Sequence, residues 1–218
     1  MAKIFHEFGF KIRGCIDKQE RIFAAVTRNG NILINRNNVL KDTPGRRLNK
    51  ARAKFVGSFM RYYKPVAKVG FPKLDPTAEN IVTYVAQFMK CNATKEVLTN
   101  HSSGDQYKFD VATDKLTLAR AHGDVPMAEG LTLTKETGKV VVTWGAYSGA
   151  NSTERNKEKV AVVVIPDGKP LEGVVSLGVA KRGDNRVEVP ITAQGTQHVY
   201  VFFYVEKVGA SEQFFKTV

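Results

Sequence analysis

Between Gly45 and Phe71 the chain carries eight Lys and Arg residues, three Phe and two Tyr, and no carboxylate. The chemistry open to such a set is anion binding. Ammonium and guanidinium groups donate charge-assisted hydrogen bonds to phosphate or carboxylate oxygens, and each phosphate they neutralise releases counterions. At about 100° per residue, Leu48, Ala51, Phe55, Phe59, Tyr62 and Val66 form one apolar stripe, while Arg46, Arg47, Lys50, Lys54, Arg61, Lys64 and Lys68 gather on the other side. A solvated helix face ordinarily mixes signs and gains from i,i+4 pairs. Here no acid lies between Asp42 and Asp75, so the cations repel one another until an outside anion arrives. Those seven cations are the candidate partner-binding residues. Phe55, Phe59 and Tyr62 are expected in the core, which leaves Tyr63 as the exposed aromatic.

Other reactive types are present without the spacing that chemistry needs. His6, His101, His122 and His198 stand at least 21 positions apart, so no pair has helical or strand spacing for a metal. Cys15 and Cys91 form no CxxC, which favours neither a zinc knuckle nor a disulfide framework and suits a reducing compartment. The GxSxG elbow, the P-loop and the dinucleotide glycine pattern do not occur. The reading is a protein that is not an enzyme, with no catalytic residue, no metal and no cofactor. Trp144, inside VVVTWG, is expected in a core; stacking on a sugar is the weaker alternative.

The net charge of +12 is unevenly placed. Residues 1–70 hold 16 Lys+Arg against Glu7, Asp17, Glu20 and Asp42, and the remaining 148 residues hold 17 of each sign. All of the excess therefore lies in the first third, which points to an anionic partner for one segment. The runs VAVVVI (160–165) and VYVFFYV (199–205) are too short to span a bilayer as helices, which takes about 20 apolar residues. No membrane partner and no secretory signal are expected.

The elements that must position the basic face follow from pattern. RIFAAVT and NILINR flank Asn29-Gly30, a dipeptide suited to the left-handed turn of a β-hairpin. Thr43-Pro44 opens the basic helix, and Lys64-Pro65 is expected to end or kink it. Asp75-Pro76 opens a second helix that reaches about Lys90, with Ile81, Val82, Tyr84, Val85, Phe88 and Met89 on its buried side. From about residue 105 short β-type runs alternate with turn residues: QYKFDV, KLTLAR, LTLTK, KVVVTWG, KVAVVVI, GVVSLGV, RVEVPI, HVYVFFYV and QFFKTV. The expected fold class is α+β, an N-terminal β-hairpin and two helices followed by a C-terminal antiparallel immunoglobulin-like β-sandwich. The expected domains are 1–104, a basic arm with its helices, and 105–218, the sandwich.

The MAK start, ARAKF…F.RYYKPVAKVGF, DPTAENIVTYVAQFMK, YKFDVATDKLTLARA and a terminal VVVTW together resemble an uncharacterised family widespread in Bacteroidetes genomes and their phages and prophages. The likeness runs through the whole chain in order, and its motifs assign no catalytic residue. The start departs from that family's glycine-rich pattern by carrying Phe5, His6, Phe8 and Phe10. The resemblance implies a phage connection. Together with the basic arm, the expected sandwich and the missing catalytic motifs, it leads to the expectation of a non-enzymatic structural protein of a phage particle, a capsid, neck or tail subunit located in the virion and made in the bacterial host cytoplasm. Its partners would be other copies of itself, other virion proteins or the backbone of packaged DNA. The alternative reading is a non-specific nucleic-acid-binding accessory protein of a mobile element.

Overall fold

The computed structural model describes residues 14–17, 22–26, 32–36, 43–71, 84–101 and 107–218. They fall into two compact units, Met1–Arg47 and Leu48–Val218. In the first, β1 (Gly14–Asp17), β2 (Ile22–Val26) and β3 (Ile32–Arg36) pair antiparallel in the order β1-β2-β3. Val26 faces Ile32 across the β2–β3 ladder. Asn29-Gly30 lies between these strands, outside the described residues, as does the expected start of the second helix.

Helix α1 runs from Pro44 to Gly70. It does not stop at Pro65. A proline cannot donate to the carbonyl four residues back, which is that of Arg61. Both Arg61 and Pro65 are exposed, so water can serve that carbonyl and the helix continues. Helix α2 (Tyr84–Asn92) follows, then a small ladder of β4 (Leu98–Asn100) with β5 (Phe109–Val111).

Two antiparallel sheets make up the rest. One has β6 (Thr132–Glu136), β7 (Lys139–Thr143) and β10 (Arg186–Pro190) in the order β10-β7-β6. The other orders β9 (Val174–Lys181), β8 (Lys159–Pro166) and β11 (Gln197–Val205), with β12 (Gly209–Ala210) and β13 (Phe214–Thr217) both paired to β11. A short helix α3 (Ser152–Arg155) sits in the β7–β8 connection. The chain is α+β.

Strands β8 and β11 explain the two longest apolar runs. Side chains alternate across a sheet, and here both faces are covered. Val160, Val162, Val164, Val199, Val201 and Phe203 pack with Val140, Val142, Val187 and Val189 of the smaller sheet. Ala161, Val163, Ile165, Tyr200, Phe202 and Tyr204 pack with Val56, Phe59, Tyr63, Val66 and Ala67 of α1 and with Phe88 of α2. The larger sheet is thus the middle of three layers. The expected boundary at 104/105 does not fall in a gap: helices from before it and strands from after it share one core, inside the unit Leu48–Val218.

Two local expectations change. Tyr63 is fully buried and Tyr62 is 38% exposed, the reverse of the assignment made from spacing. KLTLAR is not a strand. Leu116, Leu118 and Ala119 are buried, but their backbone is held by side chains. The Asn92 amide brackets Thr117, accepting from its N–H at 2.9 Å and donating to its carbonyl at 2.8 Å. The Gln213 carbonyl oxygen accepts from the N–H of Leu118 (2.6 Å) and Ala119 (3.1 Å), and its amide nitrogen donates to Leu116 O at 2.8 Å. Two amides replace the neighbouring strands. The C-terminus of α1 meets this run so closely that a Cβ on Gly70 would collide with the Leu118 carbonyl oxygen.

Candidate anion-binding face

On α1 the buried residues are Val56, Phe59, Met60, Tyr63, Val66, Ala67 and Gly70. Their stripe fixes where the cations go. Lys54 and Tyr63 are nine positions apart, about 180° at 100° per residue, so the burial of Tyr63 turns Lys54 outward. Lys50, Lys54, Arg61, Lys64 and Lys68 are all exposed, and Arg46 and Arg47 in the first turn are partly so. Arg52, the eighth cation, falls on the buried side. Within the unit Leu48–Val218 the structure therefore places five of the seven predicted residues, Lys50, Lys54, Arg61, Lys64 and Lys68, along one outward side of the helix. From Lys50 to Lys68 that side runs about 27 Å at 1.5 Å per residue.

Packing fixes the helix in rotation. The Tyr63 hydroxyl donates to Pro170 O at 2.5 Å and the Tyr62 hydroxyl donates to Gly173 O, both in the loop between β8 and β9. Burial raises the Tyr63 phenol well above the usual tyrosine range. The Phe59 ring lies 4.8 Å from Tyr63 and 5.8 Å from Phe88. Among the described residues, Lys54, Arg61 and Lys64 form no ion pair, and α1 contains no Asp or Glu. Fixed, mutually repelling cations facing outward can hold a polyanion by phosphate or carboxylate contacts.

Two other polar clusters were not visible in the sequence. Arg182 is fully buried; its Nε donates to Glu158 Oε2 at 2.7 Å and its Nη2 to Pro126 O at 2.5 Å. The guanidinium lies 4.0 Å from the Phe203 ring centroid. Trp144 is buried beside it, as expected, with its indole N–H donating to Arg182 O at 2.6 Å and its ring edge-on to Phe203. Glu158 is also shared with Arg155 at 2.8 Å. This cluster closes one end of the core between the sheets.

His198 lies between Asp167 Oδ1 (3.0 Å from Nε2) and Thr217 Oγ1 (3.1 Å from Nδ1), stacked on Phe215. The His198 hydrogen bond holds the Asp167 carboxyl below its ordinary value. Acid, imidazole and hydroxyl stand in line, but His198 and Thr217 are direct partners in the β11–β13 ladder, so their contact is that of cross-strand neighbours. His101 pairs with Asp110 at 3.0 Å on the surface. Among the described residues no group of three His, Cys, Asp or Glu could hold a metal ion, and no helix is long and apolar enough to cross a membrane.

A groove of about 590 Å³ beside the Arg182–Glu158 pair is lined by Asp124, Arg155, Glu158, Lys159, Tyr204 and Glu206, among others. Its charges pair internally: Arg155 with Asp124 and Glu158, and Lys159 with Glu206. It presents no spare charge comparable to that of α1.

No protein-family model matches the chain, and no curated protein matches it in sequence. Among solved structures, the spore cortex lytic enzyme SleM of Clostridium perfringens aligns at 12% identity and a TM-score of 0.28, over 55% of this chain and 36% of that one. The chain thus spans little more than a third of that enzyme's length, and a likeness this faint says nothing about shared chemistry.

Proposed function

We propose that this protein is a non-catalytic structural module that docks to a polyanion through the basic face of α1. The observation that carries the reading is the placement of Lys50, Lys54, Arg61, Lys64 and Lys68 along the outward side of a helix whose opposite side is locked into a core. The fold reading belongs with it. Eight strands divide three and five, β10-β7-β6 against β9-β8-β11 with β12 and β13 both on β11, and Trp144 is buried in the core between the sheets. Two facing antiparallel sheets over an apolar core with a buried Trp support reading them as an immunoglobulin-like sandwich, a rigid packing module. The paired β1, β2 and β3 fit an N-terminal hairpin arm, which is too small to hold a core alone.

The family resemblance read from the sequence places such a module in a phage particle, as a capsid, neck or tail subunit contacting copies of itself, other virion proteins or packaged DNA. Mass spectrometry of purified particles tests that placement, and absence of the protein from them overturns it. The second reading, a nucleic-acid-binding accessory protein, is favoured by the carboxylate-free run from Thr43 to Leu74. Phosphate contacts make affinity fall steeply with salt, by a log–log slope of about 0.9 per contact on duplex DNA. Filter binding across a salt series with wild-type protein and the Arg46, Lys50, Lys54 and Arg61 to Glu variant tests the shared core of both readings. The variant is expected to lose binding. Equal association of the two proteins with DNA and with purified particles overturns the proposal.

A further inference from the structure

Strands β11 and β12 are joined by the turn Glu206–Lys207–Val208, closed by the Val208 N–H on Val205 O at 3.1 Å. Lys207 has φ 65°, in the left-handed region. Side chains with a Cβ are strained there, and Gly or Asn is the usual occupant. Among the described residues the other non-glycine positions of this kind are both asparagines, Asn151 and Asn185. A long cation at Lys207 thus contradicts the local preference. Such conflicts collect where a side chain is kept for what it contacts.

The surroundings indicate the contact. Gly70 O at the end of α1 accepts from the Arg120 N–H at 3.0 Å, and two residues on His122 bridges Ala210 of β12, which brings Lys68 and the turn to the same end of the unit. The Glu206 carboxylate accepts a hydrogen bond from Lys159 Nζ at 2.6 Å. That bond, with the nearby charges of Lys68 and Lys207, holds the Glu206 carboxyl below its ordinary range. Three lysines therefore share one acid, leaving two positive charges uncompensated where the basic face of α1 ends.

We propose that Lys207 is a phosphate contact that carries the basic face of α1 onto the β11–β12 turn, with Glu206 as the internal counter-ion that a nucleic-acid phosphate replaces. The inference rests on the polyanion reading above and names its anion as a phosphate backbone. Asparagine at position 207 keeps the turn and removes the charge, which separates binding from stability.

The Lys207→Asn variant is expected to melt at a higher temperature than wild type. At 50 mM salt it should bind a 30-base-pair duplex up to about tenfold more weakly, with a log–log salt slope smaller by about one. Glu206→Gln is expected to shift affinity the other way. An unchanged slope for Lys207→Asn, or no gain for Glu206→Gln, overturns the inference. If the α1 reversal abolishes binding while both turn variants match wild type, only the turn contact fails. A wild-type protein that does not bind duplex at low salt removes the underlying reading as well. Tighter binding of poly-glutamate than of duplex at equal salt overturns the assignment to phosphate.

Discussion

Arg182 has no solvent access, and its charge is answered by one carboxylate, Glu158, itself 4% exposed. Removing one member of a buried pair strands the other, at a cost of about 3–5 kcal/mol, whereas replacing both with apolar groups is often neutral or better. Glu158→Ala should therefore lose about that much in urea unfolding, and Glu158→Leu combined with Arg182→Met should recover most of it. A double variant no better than the single one would show that the pair contributes to the core more than apolar side chains can replace. In the sequence Arg182 stands in RGDN, which reads only as a turn. The missing information was register: Lys159 pairs with Lys181, so the residues just beyond, Glu158 and Arg182, become neighbours and share a backbone hydrogen bond of 2.8 Å. The Tyr62–Tyr63 exchange has a similar origin. A stripe anchored on Leu48 and Ala51, both only half-buried, is rotated from the one that Val56, Met60, Tyr63 and Ala67 define. The outward position of Lys50, Lys54, Arg61, Lys64 and Lys68 remained legible because a basic face spans a wide arc and tolerates that rotation.

Among the elements, those with a strong period were the readable ones. Strands β6 to β11 and β13 each coincide with an apolar or alternating run, and α1 with a helical period. The run Leu116–Ala119 has the composition of a strand yet lies beside no strand on either edge, because the side-chain amides of Asn92 and Gln213 occupy those positions. Periodicity reports which face is buried; it carries no information about what fills the backbone's hydrogen bonds. Gln213→Ala leaves buried donors at Leu118 and Ala119 without their acceptor, and each such group costs about 1–3 kcal/mol. The expected result is a loss of that order in unfolding free energy, with hydrogen exchange at the Leu118 and Ala119 amides accelerated more than at the β8 and β11 amides. Uniform acceleration across all of these sites would mean that Gln213 acts on the global fold and not on this segment.

For the whole molecule, what the sequence concealed was the layer count. Two helices followed by many strands suggests an arm and a separate sandwich, yet VAVVVI and VYVFFYV already contained the contrary signal. A strand with one wet face alternates; a strand apolar at every position needs cover on both sides. Strands β8 and β11 have that cover, from the smaller sheet on one side and from α1 and α2 on the other. A fragment starting at residue 105 keeps both sheets but strips the second cover, exposing Ala161, Val163, Ile165, Tyr200, Phe202 and Tyr204 in one patch. It should bind a hydrophobic dye and melt without a cooperative transition, whereas a fragment starting at Leu48 should melt cooperatively. Cooperative melting of both fragments would mean that the sandwich stands alone and that α1 is a detachable arm. The distinction bears on the proposed docking. A helix that completes the core presents its cations in a fixed line, so the ordering entropy of that surface is met on folding and not on binding.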